Sequence, residues 1–182
     1  MSNELNLEEM CNVLVIPTNL DTSKIVIELD DERVEKDGFY IYKFGDQTSR
    51  LNAESQLVFK NKDVPLNYFV MPNTQYEKLI GGVIKPSKLG QEYSPTVLYV
   101  KTEEGKATDT HFKALKETQD VMKNRNISAT FISKEDSFLV KLNNPIERVH
   151  YQRFLTGEGI KSYVHMEKNY QKLSSQISTF LK

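Results

Sequence analysis

Three histidines and one cysteine are the side chains of this sequence that could contribute nitrogen or sulfur ligands to a zinc site, and the cysteine could also act as a nucleophile. His111, His150 and His165 fall in separate predicted elements, and Cys11 has no second cysteine as a companion. A zinc site needs three or four converging ligands, and a cysteine nucleophile needs a base within hydrogen-bond reach. Cys11 also lies in an apolar stretch, which favours a small buried residue over a reactive one. We therefore expect neither a metal site nor a catalytic residue among these four.

Two other patterns could indicate a calcium-binding or a phosphate-binding loop, and neither has the required spacing. The acidic run at residues 30–38 lacks the spacing of a calcium loop and is typical of a solvated hairpin tip. The glycines at 81–82, and those at 157 and 159, do not open a helix in the way that a phosphate-binding loop requires. We expect no cofactor, and an enzyme is the function that the sequence supports least.

A predicted sheet in the C-terminal half carries aromatic and basic residues that could contact nucleic acid. The run at 98–102 resembles the first RNP element of the RNA-recognition motif, in which an aromatic side chain stacks on a base. The run at 137–142 offers one further aromatic residue, without the Lys/Arg-Gly pair of the second element. The candidate surface comprises Tyr99, Lys101, Phe138, Lys141 and Tyr163. The alternative is that these are ordinary sheet residues.

The last segment of the chain has an apolar stripe at helical spacing. Apolar side chains recur at intervals of three and four residues, and the opposite face is polar. The stripe comprises Tyr170, Leu173, Ile177, Phe180 and Leu181. So short a helix is marginal on its own. It therefore docks either on its own domain or in the groove of a partner.

The stretch from Thr96 to Lys168 has the pattern of a βαββαβ module. An amphipathic helix is predicted at 110–123, and a second begins at Asn144-Pro145 and continues to about Leu155. The strands, rich in β-branched and aromatic residues, are predicted at 96–102, 127–132, 138–142 and 162–166. This order is that of the ferredoxin-like fold, an antiparallel sheet with both helices on one face.

The first 90 residues predict a β-rich module. Proline and glycine positions mark the turns, and strands at this spacing form a small antiparallel sheet or a partly closed barrel. The strands are predicted at 11–16, 24–29, 39–44, 56–60, 66–71 and 78–85. With residues 86–95 as the linker, we predict an α+β protein of two modules, 1–90 and 91–182, and a terminal amphipathic helix. No internal repeat is visible in the sequence.

Short motifs lie along residues 11–86. They are Ile16-Pro17-Thr18, Ile25-Val26-Ile27, Asp37-Gly38-Phe39-Tyr40-Ile41-Tyr42, Arg50-Leu51 and Leu79-Ile80-Gly81-Gly82-Val83-Ile84. In this order they resemble the C-terminal peptidase domain of LexA and the phage repressors. That family has a Ser-Met-x-Pro-Thr element, a hydrophobic strand, an Asp-Gly-x-Tyr strand, a Val-Lys-Arg-Leu element and a closing Ile-Ile-Gly-Arg-Val strand.

The resemblance does not extend to the catalytic positions of that family. Its serine nucleophile would fall at Leu14, and the lysine that serves as the base would fall at Ser49. Serine attack needs a base within hydrogen-bond reach, and neither partner is present. The resemblance therefore implies an inactive member, kept as a dimerisation or binding module, in a phage or mobile-element setting.

Composition and charge limit the remaining functions. Residues 111–182 contain 12 Lys/Arg and 7 Asp/Glu, a net of +5, whereas residues 1–110 contain 12 and 18, a net of −6. This asymmetry is weaker than the dense basic stripe of most nucleic-acid-binding modules. A single cysteine indicates a reducing compartment, no apolar run reaches membrane-spanning length, and residues 1–10 are too acidic for a signal peptide. We expect a cytoplasmic protein without membrane contact.

Together these patterns favour a non-enzymatic regulatory or adaptor protein. It would act through protein–protein contacts, either with a partner or by self-association. The first alternative is a nucleic-acid-binding protein that uses the C-terminal sheet. The second is a virion or assembly component.

Overall fold

The chain divides into two compact units. A computed structural model describes residues 6–22, 33–101, 132–134 and 137–180, including their side chains except at 132–134, 137–138 and 176–180. The N-terminal unit comprises residues 10–94, and the C-terminal unit comprises residues 95–182 together with those before Met10. Each unit contains helices and an antiparallel sheet, which confirms the α+β fold class.

The N-terminal unit is built on a four-stranded sheet with the order β2-β3-β1-β4. Its strands are β1 (Val13–Pro17), β2 (Val34–Lys36), β3 (Phe39–Lys43) and β4 (Phe69–Met71). All neighbouring strands are antiparallel. β1 is central because its apolar residues are suited to burial on both faces. The tight turn between β2 and β3 uses Asp37 and Gly38, and both have positive φ, as a two-residue hairpin requires.

Two helices of unequal length belong to this unit. α1 (Gln47–Lys60) starts where the Asp46 side chain accepts a hydrogen bond from the Ser49 N–H at 2.7 Å. The same bond holds the pKa of Asp46 below its ordinary value. α2 (Tyr76–Ile80) follows β4 and ends at Gly81. From there the chain continues to residue 94 through two short 3₁₀ turns.

The C-terminal unit has a sheet with the order β6-β7-β5-β8. Its strands are β5 (Val97–Lys101), β6 (Ile132–Lys134), β7 (Ser137–Lys141) and β8 (Lys161–His165), all antiparallel to their neighbours. α3 (Pro145–Gly157) joins β7 to β8, and α4 (Tyr170–Phe180) follows β8. Asn144 caps α3 by accepting a hydrogen bond from the Glu147 N–H at 3.0 Å, with proline in the first turn, as the sequence predicted.

The two units are built in the same way, although the sequence shows no repeat. In the described residues of each unit, a central strand is followed by a hairpin, a helix, an edge strand and a second helix. The ladders also continue at equivalent places. The Phe44 N–H donates to the Asn12 carbonyl, and the Leu142 N–H donates to the Thr96 carbonyl, both at 2.9 Å. The units are therefore two versions of one scaffold, with residue-by-residue counterparts in the sheet.

A buried arginine joins helix to sheet in the N-terminal unit. Arg50 forms an ion pair with Glu54 one turn later in α1, and both are almost fully buried. The second carboxylate oxygen of Glu54 accepts a hydrogen bond from the Tyr68 hydroxyl at 2.6 Å. Tyr68 immediately precedes β4, so this network fixes α1 against the edge of the sheet.

In the counterpart network of the C-terminal unit, Gln152 takes the position that Glu54 has in the N-terminal unit. Arg148 donates to the Gln152 side chain at 2.7 Å, and Gln152 donates to the Ser162 hydroxyl in β8 at 3.1 Å. The Nε of Arg148 also donates to the Pro95 carbonyl at 2.9 Å, just before β5. One buried arginine thus ties α3 to two strands.

The structure corrects two predicted strands. Residues 56–60 are the end of α1, and residues 78–85 contain the end of α2 and the turn after it. Short apolar runs do not distinguish strand from helix by periodicity, and here the cap at Asp46 starts a helix. The predicted strands at 11–16, 39–44, 96–102, 138–142 and 162–166 are confirmed in substance, and that at 66–71 over Phe69–Met71.

Some predicted elements lie outside the described residues. They are the strand at 24–29, the helix at 110–123 and the strand at 127–131; β6 begins at Ile132. The predicted linker at 86–95 belongs to the N-terminal unit as far as Ser94.

Replacing Glu54 with alanine tests the buried pair. Because Arg50 would keep its buried charge without the carboxylate, Glu54→Ala should lower the free energy of unfolding by about 3–5 kcal/mol. Lys60→Ala is the matched control on the same helix, since Lys60 forms an exposed pair with Asp21 at 3.7 Å and should cost at most about 1 kcal/mol. Urea unfolding followed by circular dichroism measures both. Equal losses would contradict the role of the pair.

Candidate functional site

The candidate nucleic-acid surface is not a continuous exposed platform. β5 pairs Tyr99 with Leu139 and Tyr163, and it pairs Val100 with Phe138. Alternate residues of a strand belong to opposite faces, so Tyr99 and Tyr163 share one face while Phe138 occupies a position of the other. Tyr99 is 8% exposed and its ring stacks on that of Tyr163 with centroids 6.2 Å apart. The ring is therefore already covered and stacked within its own unit.

The two lysines of the candidate surface, Lys101 and Lys141, are both engaged with carboxylates. Lys101 Nζ lies 2.7 Å from a carboxylate oxygen of Glu8, and this contact raises the pKa of Lys101. Lys141 Nζ lies 3.1 Å from a carboxylate oxygen of Glu167 and also lies over the ring of Tyr170. These positive charges are thus partly neutralised by the unit itself.

α4 covers the Tyr99 face of the C-terminal sheet. It lies against β7 and β6. Its Leu173 is fully buried in an apolar cluster. The cluster comprises Val97, Tyr99, Leu139 and Leu173, and Leu7, Tyr163 and Tyr170 pack against it. The first part of the predicted partner stripe therefore docks on its own unit, while the side chains of Ile177 and Phe180, and all of Leu181, lie outside the described residues.

The described histidines, His150 and His165, and Cys11 do not converge on a metal site. Within the described part of the chain, no three His, Cys, Asp or Glu side chains are placed to hold a metal ion. His165 Nε2 donates to the Leu7 carbonyl at 2.8 Å. Burial lowers the pKa of His165, and burial together with nearby Arg153 lowers that of His150. Cys11 is buried, as predicted, and His111 lies outside the described residues.

An open groove in the N-terminal unit is the candidate functional site. It encloses about 650 Å³ at the end of the sheet where β1 stops and β3 and β4 start. Its floor contains Phe39 and Phe69, whose ring centroids are 6.3 Å apart. The apolar lining comprises Pro17, Leu20, Phe39, Val64, Pro65, Phe69 and Leu89. This volume lies within the range of known binding clefts, about 300–1,000 Å³.

The rim of the groove is made mainly of side-chain amides. The polar lining comprises Asn19, Asp21, Asn61, Asn67 and Gln91. Asn61 caps the end of α1 and holds the Asp21 backbone by accepting from its N–H at 2.8 Å and donating to its carbonyl at 2.9 Å. Gln91 donates to Asn67 at 3.2 Å. Among the described lining residues, Asp21 is the ionisable one, and its carboxylate pairs with Lys60.

The groove was not anticipated from the sequence, and the comparison of the two units explains why it is there. In the C-terminal unit, the eleven-residue α4 covers the equivalent face, whereas α2 has five residues and ends at Gly81. The following segment turns instead toward the β2–β3 hairpin, where Ser87 donates to the Asp37 carboxylate from its N–H at 3.0 Å. In the sequence, the early end of this helix is indicated by Gly81-Gly82, which directly follow a short amphipathic run.

Comparison with known proteins adds no assignment. No protein-family model matches the chain, and no curated protein is significantly similar to it. Among the described helices, none combines the length and apolar character needed to cross a bilayer.

Replacing Leu173 with alanine tests whether α4 belongs to the core of its unit. The substitution should lower the free energy of unfolding by about 2–5 kcal/mol because it leaves a cavity beneath the helix. The neighbouring Lys172 is exposed, and Lys172→Ala should change it by less than about 0.5 kcal/mol. Denaturant titration compares them. Similar small losses for both would leave the apolar stripe available to a partner.

Stability should fall as the pH is lowered below about 6.5, the ordinary pKa of histidine. Burial lowers the pKa of His165 in the folded state, so the unfolded chain binds the proton more readily. Stability is then full above the unfolded pKa and is lost as the pH falls below it. His165→Gln retains a donor for Leu7 and should flatten part of the decline; His150 contributes in the same direction. Unfolding measured between pH 7.5 and 5 would refute this if the variant declined as steeply as the wild type.

Proposed function

We propose that this chain is a non-enzymatic regulatory or adaptor protein that binds another protein through the groove of its N-terminal unit. The observation that carries the proposal is the composition of that groove. An aromatic and aliphatic floor is surrounded by amides, with one ionisable side chain among the described lining residues. Protein interfaces have this anatomy, with an apolar centre that is depleted of charge and a polar rim.

The aromatic pair gives the groove suitable anchoring chemistry. Phe69 is almost fully buried in the floor, whereas Phe39 is half-buried and Val64 is 47% exposed. A side chain that packs against Phe39 and Val64 would exchange exposed apolar surface for packing contacts, at roughly 25 cal/mol per Å² of surface buried. Energetic hot spots at interfaces lie in such pockets.

We also propose that both units are ferredoxin-like scaffolds. The strand order and the antiparallel directions of each sheet agree with that arrangement. Such a scaffold is compatible with many functions, so the proposal of protein binding rests on the groove and not on the fold. The resemblance to repressor domains remains a prediction, and two of its motifs, Arg50-Leu51 and Leu79–Ile84, lie in helical or turn segments.

Binding of nucleic acid is supported less well. Base stacking requires exposed aromatic faces, and Tyr99 is buried under its own unit. Backbone contacts require free cationic side chains, and Lys101 and Lys141 are engaged with Glu8 and Glu167. The groove itself offers no cation among its described lining residues.

A pair of matched valine variants tests the proposed function. Val64 lines the groove, whereas Val83 is an exposed valine of the same unit that does not. Proteins crosslinked to the wild type in its host cells would be identified, purified and titrated against the purified chain. Val64→Asp should weaken binding at least about tenfold, since it places a charge at an apolar contact. Val83→Asp should leave it within about twofold of the wild type.

Two results would contradict the proposal. The first is that Val64→Asp and Val83→Asp bind the purified partner as well as the wild type does. The second is that no purified protein binds the wild-type chain directly.

A further inference from the structure

The C-terminal unit already contains a segment bound at the end of the sheet that is open in the N-terminal unit. Residues 6–9 form a turn in which the Glu9 N–H donates to the Asn6 carbonyl at 3.2 Å. Leu7 packs against the cluster around Tyr99, and its carbonyl accepts from His165. Glu8 pairs with Lys101 at the end of β5. One aliphatic side chain and one carboxylate thus dock a short segment on this sheet.

The end of the sheet at which Glu8 docks has its counterpart in the groove, whereas the counterparts of the residues around Leu7, such as Val15 for Tyr99, are fully buried. Lys101 lies opposite Ser137 in the C-terminal sheet, and Pro17 lies opposite Phe39 in the N-terminal sheet. Pro17 is therefore the counterpart of Lys101, and Phe39 is the counterpart of Ser137. Tyr99 pairs with Tyr163 as Val15 pairs with Phe69. Pro17, Phe39 and Phe69 all line the groove. The groove therefore occupies the end of the sheet at which the C-terminal unit holds Glu8.

The counterpart positions hold different side chains in the two units, and this difference changes the kind of ligand that the groove favours. Proline at position 17 stands where Lys101 supplies the cation for Glu8. Phenylalanine at position 39 replaces Ser137 and adds an apolar wall. The groove keeps an aromatic ring at Phe69 but has lost the charge that attracts a carboxylate. Complementarity then favours a segment with an apolar anchor and no acidic neighbour.

We propose that the groove binds a short, uncharged segment of a partner protein that packs a leucine-like side chain against Phe39 and Val64, above Phe69. This proposal rests on the proposed function and specifies the partner chemistry. The amides of Asn67 and Gln91 supply donors and acceptors for the backbone of the segment. Residues 6–9 of a second copy are a poor occupant, because Glu8 and Glu9 would face a site without a cation among its described residues.

Two synthetic peptides test the specificity. The acidic probe has the sequence of residues 6–10, Asn-Leu-Glu-Glu-Met, with acetylated and amidated ends. The neutral probe replaces both glutamates with glutamine. Titrations of the full chain, followed by the methyl NMR signals of Val64 and Leu89, should show at least about threefold tighter binding of the neutral probe, the factor that one exposed charge interaction supplies. Val64→Asp should abolish the shifts.

Restoring the missing cation should reverse the preference. Pro17→Lys places a lysine at the counterpart of Lys101, and Asn19→Lys does so from the exposed rim, in case the first variant disturbs β1. In either folded variant the acidic probe should gain about threefold and become the tighter ligand. Lys101→Met, in the other unit, should leave both affinities at the groove unchanged.

Three outcomes would overturn the inference. The first is that the two probes bind equally well to the wild type and to both lysine variants. The second is that neither probe binds. The third is that the Val64 and Leu89 signals shift when the protein is simply diluted, which would assign the groove to a second copy. If a purified partner still distinguished Val64→Asp from Val83→Asp, the proposed function would stand while this account of its specificity failed.

Discussion

A buried arginine must keep its charge and therefore needs partners in the interior, and this constraint sets how helix and sheet meet in both units. Arg50 satisfies it with a carboxylate from its own helix, which is fixed in turn by a tyrosine next to the sheet. Arg148 satisfies it with an amide and a backbone carbonyl. A buried ion that loses a partner costs several kcal/mol. The helix therefore cannot slide along the sheet without breaking the network.

With one helix fixed in this way, the variation between the units falls on the other face of the sheet. The C-terminal unit covers that face with α4 and the turn at 6–9, and its tyrosine pair is buried. The N-terminal unit has a short α2 and leaves an open end lined by a phenylalanine pair. The same frame thus gives a closed unit and one with an accessible apolar surface. Exposed apolar surface rimmed by polar groups is typical of sites for partners.

Much of the secondary structure could be predicted from local patterns. The central strands are apolar runs with β-branched residues, and Asn144-Pro145 marks the start of a helix. Residues 56–60 at the end of α1 were predicted as a strand because they form a short apolar run, while the earlier part of the helix buries the polar Arg50 and Glu54, whose burial depends on each other and on Tyr68. A pair of this kind leaves no periodic hydrophobic signal.

The structural similarity of the two units and the groove could not be predicted from the sequence, for a related reason. Equivalent positions hold different side chains, such as Glu54 and Gln152, so the two halves share geometry more than residue types. The candidate platform at Tyr99 and Phe138 is divided between two faces of the sheet, because the sequence does not show the register that assigns aromatic residues to faces. A groove formed by three strand ends and three loops depends on long-range contacts that spacing alone does not encode.

The most direct test of this account compares solvent access on the two equivalent faces of the intact chain. Methyl NMR relaxation by a soluble gadolinium chelate reports how closely solvent approaches each side chain. The account predicts strong relaxation at Val64 and Leu89 in the groove, and protection of Leu173 and Leu139 beneath α4. Equal protection of all four side chains would show that the groove is filled in the free protein, and would contradict the central claim that one copy of the scaffold keeps this end of its sheet open for a partner.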